Sequence, residues 1–350
     1  MIDLQSDTVT TPSREMLLSC LKASFKDAFL AVDESTRGLE ERCAKLFGFE
    51  DALLLISGTI SNQIALKTHT TPGDSVLLDE TYHINYYEAA ATSIISRVHL
   101  NTIKTLDGII EPCLLDEVIN GRNRSAYNNR ITLLCLENSI NYHSGKIYPY
   151  NKLLEVSRYA KTNGWKIHLD GARIFNVLVE EKILPDAFSK IADSMAVSLN
   201  KGLGAPFGSI LLGSNSFIKQ AKIFNKWIGG GLHQPGMLAE MGLYALTNNF
   251  LKIKKDNDNA KLLYSMLMEA DLNNISISYP ETNIIMLDLT KTRIPAKKLV
   301  DALKIRMVYL YEWSYYVVRG VTNLNVNRED IKVCAKTIIS EIKLLAHLTQ

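Results

Sequence analysis

The chain has 350 residues, with 39 Lys plus Arg against 37 Asp plus Glu, 47 % hydrophobic and 22 % charged residues. The balanced charge argues against a nucleic-acid or membrane-surface protein, the composition argues against disorder, and no apolar run approaches the roughly 20 residues of a membrane span. Five scattered cysteines (Cys20, Cys43, Cys113, Cys135 and Cys334) form no CxxC pair, so neither a disulfide framework nor a zinc site is expected, and a reducing cytoplasm is the simplest setting.

Residues 1–30 read as a polar arm followed by a helix over Ser13–Ala23, with no leader-like basic and apolar regions at the start. From 31 to 250, short aliphatic runs alternate with amphipathic stretches. Leu53–Ile56, Ser75–Leu78, Ile131–Leu136, Lys166–Leu169, Met195–Leu199 and Ser209–Leu212 read as buried strands. Between two of them, Leu153, Leu154, Val156 and Tyr159–Ala160 recur at helical spacing, and Asn163-Gly164 is a stop signal. This alternation predicts a large α/β domain with a mostly parallel sheet. From 251 to 350 the pattern changes. Lys252–Lys261 reads as the solvated side of a long helix. Runs at Ile275–Tyr279, Asn283–Leu289 and Val317–Val321, with helices at Ala296–Lys304 and Arg328–Leu345, predict a smaller α+β domain.

Several segments carry chemistry. In Asn200-Lys201-Gly202-Leu203-Gly204-Ala205-Pro206, a lysine ends an apolar run among glycines. Such an amine, desolvated, becomes a nucleophile; the alternative is a solvated turn lysine. In Ile167-His168-Leu169-Asp170-Gly171-Ala172-Arg173, a carboxylate ends a strand, where open α/β sheets bind ligands. A buried carboxylate needs a cation, either a protonated pyridine nitrogen or, structurally, Arg173. Ser57-Gly58-Thr59 joins a strand to a helix and offers free N–H groups to an anion, although Ser and Thr are also ordinary caps. His83 is an aromatic group able to stack on a ring cofactor, or simply a structural histidine. Gly229-Gly230-Gly231 would cost about 1 kcal/mol per residue inside a helix, so a backbone passing close to a ligand or another subunit is expected. A phosphate turn, a pyridinium partner and an amine, in that chain order, are the three parts of a pyridoxal phosphate site.

On these motifs, together with Asp3-Leu4-Gln5-Ser6-Asp7-Thr8-Val9-Thr10 and Asn62, the chain resembles the low-specificity L-threonine aldolase family. The family belongs to the threonine aldolase and β-eliminating lyase group of fold type I pyridoxal phosphate enzymes. The resemblance implies an aspartate-aminotransferase-like large domain and retro-aldol cleavage of a β-hydroxy-α-amino acid to glycine and an aldehyde. It implies that Lys201 carries the cofactor, Asp170 pairs with its ring nitrogen, and His83 stacks on it and serves as acid/base. Ser57, Gly58 and Thr59 would hold the phosphate, with His233 near it across a subunit boundary. Ser6, Arg173 and Arg319 would hold the substrate carboxylate. No catalytic metal is expected.

Several substrate-side positions depart from the family pattern. Ile140 stands in Glu137-Asn138-Ser139-Ile140-Asn141 where the family has His, and His233 replaces an Arg. Leu30-Ala31 replaces Tyr-Gly, Gln5 replaces Arg, and Asn323 replaces His. A pocket made more apolar at Ile140 is therefore expected. Another reaction at the same carbanion, or a non-catalytic descendant, are the competing readings. The resemblance also implies a homodimer or homotetramer with shared sites, the Gly229–Gln234 loop and the N-terminal arm being the candidates for the interface.

Overall fold

A computed structural model of the chain describes residues 1–30, 32–121, 125, 127–272 and 274–347. Seven strands form the central sheet: β1 (Asp51–Leu55), β2 (Ser75–Asp79), β3 (His99–Ile103), β4 (Ile131–Glu137), β5 (Lys166–Gly171), β6 (Ser194–Ser198) and β7 (Ser209–Gly213). Their order across the sheet is β1-β7-β6-β5-β4-β2-β3. Only β7 runs against its neighbours; the remaining pairs are parallel. Every residue of β2, β6 and β7 is buried, which explains their apolar middles, Val76–Leu78, Met195–Val197 and Ile210–Leu212: helices cover both faces of the sheet. The exception is β3, which sequence reading overlooked. It lies at the edge, and its partly exposed residues show no aliphatic run.

Caps and stops follow local rules. Ser57 accepts from the Ile60 N–H and starts helix α1 (Gly58–His69). The predicted helix at 151–163 appears as α2 (Tyr150–Thr162), with Leu153, Val156 and Ala160 buried. The expected N-terminal helix is shorter than read: Arg14–Ser19 is α-helical and continues as a 3₁₀ turn, Cys20–Lys22.

A second core gathers Leu263, Leu287, Leu299, Val318, Ile331 and Ile338. Its antiparallel sheet has the order β10-β11-β9-β8, from β8 (Ser276–Ile277), β9 (Ile284–Asp288), β10 (Tyr311–Ser314) and β11 (Val317–Val321). The N-terminal arm joins this core. Ile2–Asp3 pairs in parallel with Val308–Tyr309, and Leu4 is fully buried. The stretch Lys252–Lys261 differs from expectation. From Ile253 on it lies in a helix, α3 (Ile253–Glu269), but Asp256, Asn257 and Asn259 are buried. Asn257 bonds Asn176 and Glu180, and Lys254 and Lys261 pair with Glu180. The polar face is an inter-element network rather than a solvated surface.

Candidate active site

Because β1 runs parallel to β6, the carboxyl ends of β1, β2, β4, β5 and β6 open onto one side of the sheet. The chemistry-bearing residues collect there, as the rule for open α/β sheets requires. Gly58, Thr59, Asn62, His83, Glu137, Asn141, Asp170, Arg173, Ser198 and Lys201 line a cavity of about 150 Å³.

Lys201 follows β6 in a tight loop closed by the Ala205 N–H to the Leu199 carbonyl and the Gly204 N–H to the Lys201 carbonyl. Gly204 has φ +71°, and a Cβ there would come within 3.1 Å of both Thr10 and Leu324, so the loop requires glycine. Burial, then the nearby Arg173 charge, lowers the Lys201 amine below the ordinary lysine range. That is the state a lysine needs to react as a free amine.

Asp170 ends β5. It accepts from the Ala172 N–H at 3.0 Å and from Asn62 Nδ2 at 2.8 Å. Burial alone would raise its carboxyl, but His83, Lys201 and the Asn62 amide outweigh it and keep it low, hence ionised. Arg173 does not pair with Asp170, which closes the structural alternative. Its Nε and Nη2 clasp Asp7 at 2.7 and 2.9 Å, and Nη1 donates to Asn141 at 3.0 Å. Burial would raise Asp7, yet Arg173 holds it at about 2.

His83 follows β2. Its backbone N–H donates to Glu137 at 2.7 Å, and its ring meets Glu88 at 2.8 Å and stands 5.5 Å from the Tyr87 ring. Arg319, on β11, reaches Asn141 and the Gln5 carbonyl at 3.3 Å each, and its Nε has no partner. Burial and the Arg173 charge lower it to about 10. Its guanidinium lies 4.6 Å from the Trp313 ring and 5.1 Å from that of Tyr311. Ser6 sits beside Asp7, accepting from the Thr8 N–H at 3.2 Å. Ser57 caps α1 rather than lining the cavity.

Two positions lie elsewhere. His233 is exposed and bonded to Asp27 at 2.9 Å, with its ring 4.9 Å from Phe29, so this chain does not bring it to its own cavity. Leu30 is exposed, and Ala31 lies outside the described residues. Ile140 corrects an expectation. It is fully buried in the main core, and a Cβ on Gly108 would come within 2.7 Å of it. The missing imidazole therefore leaves the cavity no more apolar.

Sequence reading missed Asp7 as the partner of Arg173, Asn141 as the bridge between both arginines, and Glu88 and Glu137 around His83. Only Glu88 lies near His83 in the chain, five residues on, and that spacing gives no helical-face signal. Among the described residues, His83, Glu88 and Asp170 could crowd a metal, but they belong to this same polar cluster.

The fold and the cavity together define a fold type I pyridoxal phosphate enzyme. The cofactor fits this chain: a desolvated amine, an ionised buried carboxylate and the free N–H groups at the start of α1 face one small cavity. The β-eliminating lyase family profile matches residues 3–292. Low-specificity L-threonine aldolase 1 of Arabidopsis thaliana is 35% identical over 94% of this chain and 93% of its own. The low specificity L-threonine aldolase of Escherichia coli K12 is 34% identical over 95% and 96%. A Leishmania major threonine aldolase structure superposes with a TM-score of 0.82 at 18% identity, covering 99% of this chain and 100% of that one. A Sphingomonas wittichii serine palmitoyltransferase superposes at 0.76 and 14% identity, covering 97% and 87%. The chain belongs to the β-eliminating lyase family, and is a pyridoxal-phosphate-dependent lyase of the threonine aldolase kind.

Proposed function

We propose that the protein cleaves the Cα–Cβ bond of β-hydroxy-α-amino acids, threonine among them, to glycine and an aldehyde. The observation that carries this is the convergence of Lys201, Asp170 and His83 on one cavity whose floor is the start of α1. Bound pyridoxal phosphate supplies the electron sink for the broken bond. Lys201 would attach it, Asp170 would hold the proton on its ring nitrogen, and Gly58 and Thr59 would take its phosphate.

Arg319 is the principal clamp for the substrate carboxylate, because its Nε is unpartnered and its other bonds are long. Arg173 is committed to Asp7 and supports that clamp through Asn141. A fixed carboxylate selects which bond at Cα breaks. His83 takes the β-hydroxyl proton.

An aromatic wall flanks the clamp. Trp313 packs against Tyr87 at 5.5 Å and Tyr142 at 5.7 Å, and Tyr142 against Tyr86 at 5.3 Å. This favours substrates with a bulky or aromatic β-substituent over threonine. Glycine release from threonine, allo-threonine and phenylserine tests both parts. No glycine from any of them, with cofactor present, would sink the cleavage reading. Equal efficiency for threonine and phenylserine would sink the preference.

The working molecule is a homodimer or homotetramer in the cytoplasm, divided into an arm (1–30), a large domain (31–250) and a small domain (251–350). Exposed Phe29, Trp227 and Leu232 beside a cavity of about 700 Å³ support an interface at the Gly229–Gln234 loop. Gly231 lies so close to Phe29 that a Cβ would come within 2.3 Å of it. Light scattering decides the oligomeric state.

A further inference from the structure

Glu88 has a completely buried side chain behind the His83 ring. Its Oε1 faces His83 Nδ1 at 2.8 Å and accepts from Asn62 Nδ2 at 2.8 Å, and its Oε2 accepts from Gln63 Nε2 at 2.6 Å. Asn62 is a branch point. Its Nδ2 also donates to Asp170 at 2.8 Å, so both amide hydrogens are used and its Oδ1 can only accept. His168 Nε2, 3.1 Å from that oxygen, therefore carries the proton. Burial lowers His168 to about 4, so the ring is neutral and its Nδ1 is an acceptor. Nδ1 accepts from the Ser194 hydroxyl at 2.9 Å, and the Ser194 oxygen accepts from His69 Nε2 at 2.7 Å. Donors thus run in one sense, from His69 through Ser194, His168 and Asn62 to the two carboxylates. Such chains polarise cooperatively.

We propose that Glu88 is a positioning residue for His83: held by Asn62 and Gln63, it accepts the hydrogen bond from Nδ1–H and leaves Nε2 as the only atom that exchanges a proton with substrate. This rests on the reading of His83 as the group that handles the β-hydroxyl proton. Among the described residues, five charged or titratable groups surround His83: Tyr87 and Glu88 beyond its own helix, Glu137 on β4, Asp170 on β5 and Lys201 after β6. Burial alone would lower the imidazole, but Glu88 and then Asp170 outweigh it and raise it. A base that must be neutral then sets the acid limb of the activity profile above the ordinary histidine range.

The test is Glu88→Gln, which keeps the shape and removes the charge. Histidine proton NMR on the cofactor-loaded and cofactor-free protein should show the His83 proton affinity reduced about tenfold or more. The acid limb of kcat/KM should move to lower pH by the same amount, with KM nearly unchanged. Gln63→Met serves as a second variant. It takes a donor from Glu88 while sparing the charge, so His83 should shift upward, and this holds if Glu88→Gln fails to fold. A folded Glu88→Gln protein with an unmoved His83, or a downward shift in Gln63→Met, overturns the proposal. If the wild type releases no glycine but His83 moves as stated, the cleavage reading fails and the assignment of the Glu88–His83 pair stands.

Discussion

The site has two ends built on different physical terms. At the cofactor end, Asp170, Asn62, His168 and Glu88 are buried, and each has short bonds, from 2.6 to 3.1 Å, to fixed partners. At the substrate end, Arg319 makes 3.3 Å bonds, keeps a free Nε and rests on half-exposed aromatic rings. A buried polar group left unpaired costs about 1–3 kcal/mol, so the first end tolerates little change. The second can be rebuilt by changing rings, which alters which substrate fits without disturbing the cofactor. The two ends meet at Asn141, which accepts from both arginines.

That contrast can be broken at either end. The largest effect should come from Lys201→Ala, which removes the attaching amine: glycine release should fall below detection and the visible absorption of the loaded protein should shift. Retained absorption and turnover would remove Lys201 from its role.

Asp7→Asn comes next, because it leaves the Arg173 guanidinium buried beside a neutral partner. Breaking a buried pair costs about 3–5 kcal/mol, and denaturant unfolding should register it. The pH dependence has a definite sign. Asp7 is held at about 2, below its ordinary 3.8, so its contribution is present above about pH 4 and is lost as pH falls toward 2. The variant should lose that acid-side slope.

Trp313→Ala acts on the loose end. Phenylserine efficiency should drop about tenfold relative to threonine, in line with about 0.5–1.5 kcal/mol for an aromatic pair. Cofactor affinity should stay as it was, and a loss of cofactor would contradict the separation of the two ends.

A separate effect, outside both ends of the site, concerns Asp256 on α3. Burial, then the charge of Asp7, raises it to about 8, and its Oδ2 has no partner. A carboxyl raised on folding stabilises below its unfolded value and progressively loses that advantage up to its folded one. Stability should therefore decline between about pH 4 and pH 8, and Asp256→Asn should flatten that decline.

The sheet was legible from local pattern because β2, β6 and β7 are buried on every residue, which forces continuous apolar runs. The edge strand β3 escaped because a strand with one open side need not be apolar. The Lys252–Lys261 helix was misjudged because Asn and Asp read as surface residues unless their partners, here Asn176 and Glu180, are known. Ile140 was placed in the cavity by its position in a motif. Its side chain instead turns into the core against Gly108, a residue far from it in sequence.

By itself, then, the sequence determined the α/β alternation, the strand-end Asp170 and Lys201, and the capped turn at Ser57–Thr59, since each is written in a run of a few neighbouring residues. Tertiary structure alone decided that Arg173 belongs to Asp7, that Asn62 joins Asp170 to Glu88, and that Trp313 and Tyr87 share a wall. Those pairings link residues far apart along the chain, and local propensity carries no information about which buried polar group will find which partner.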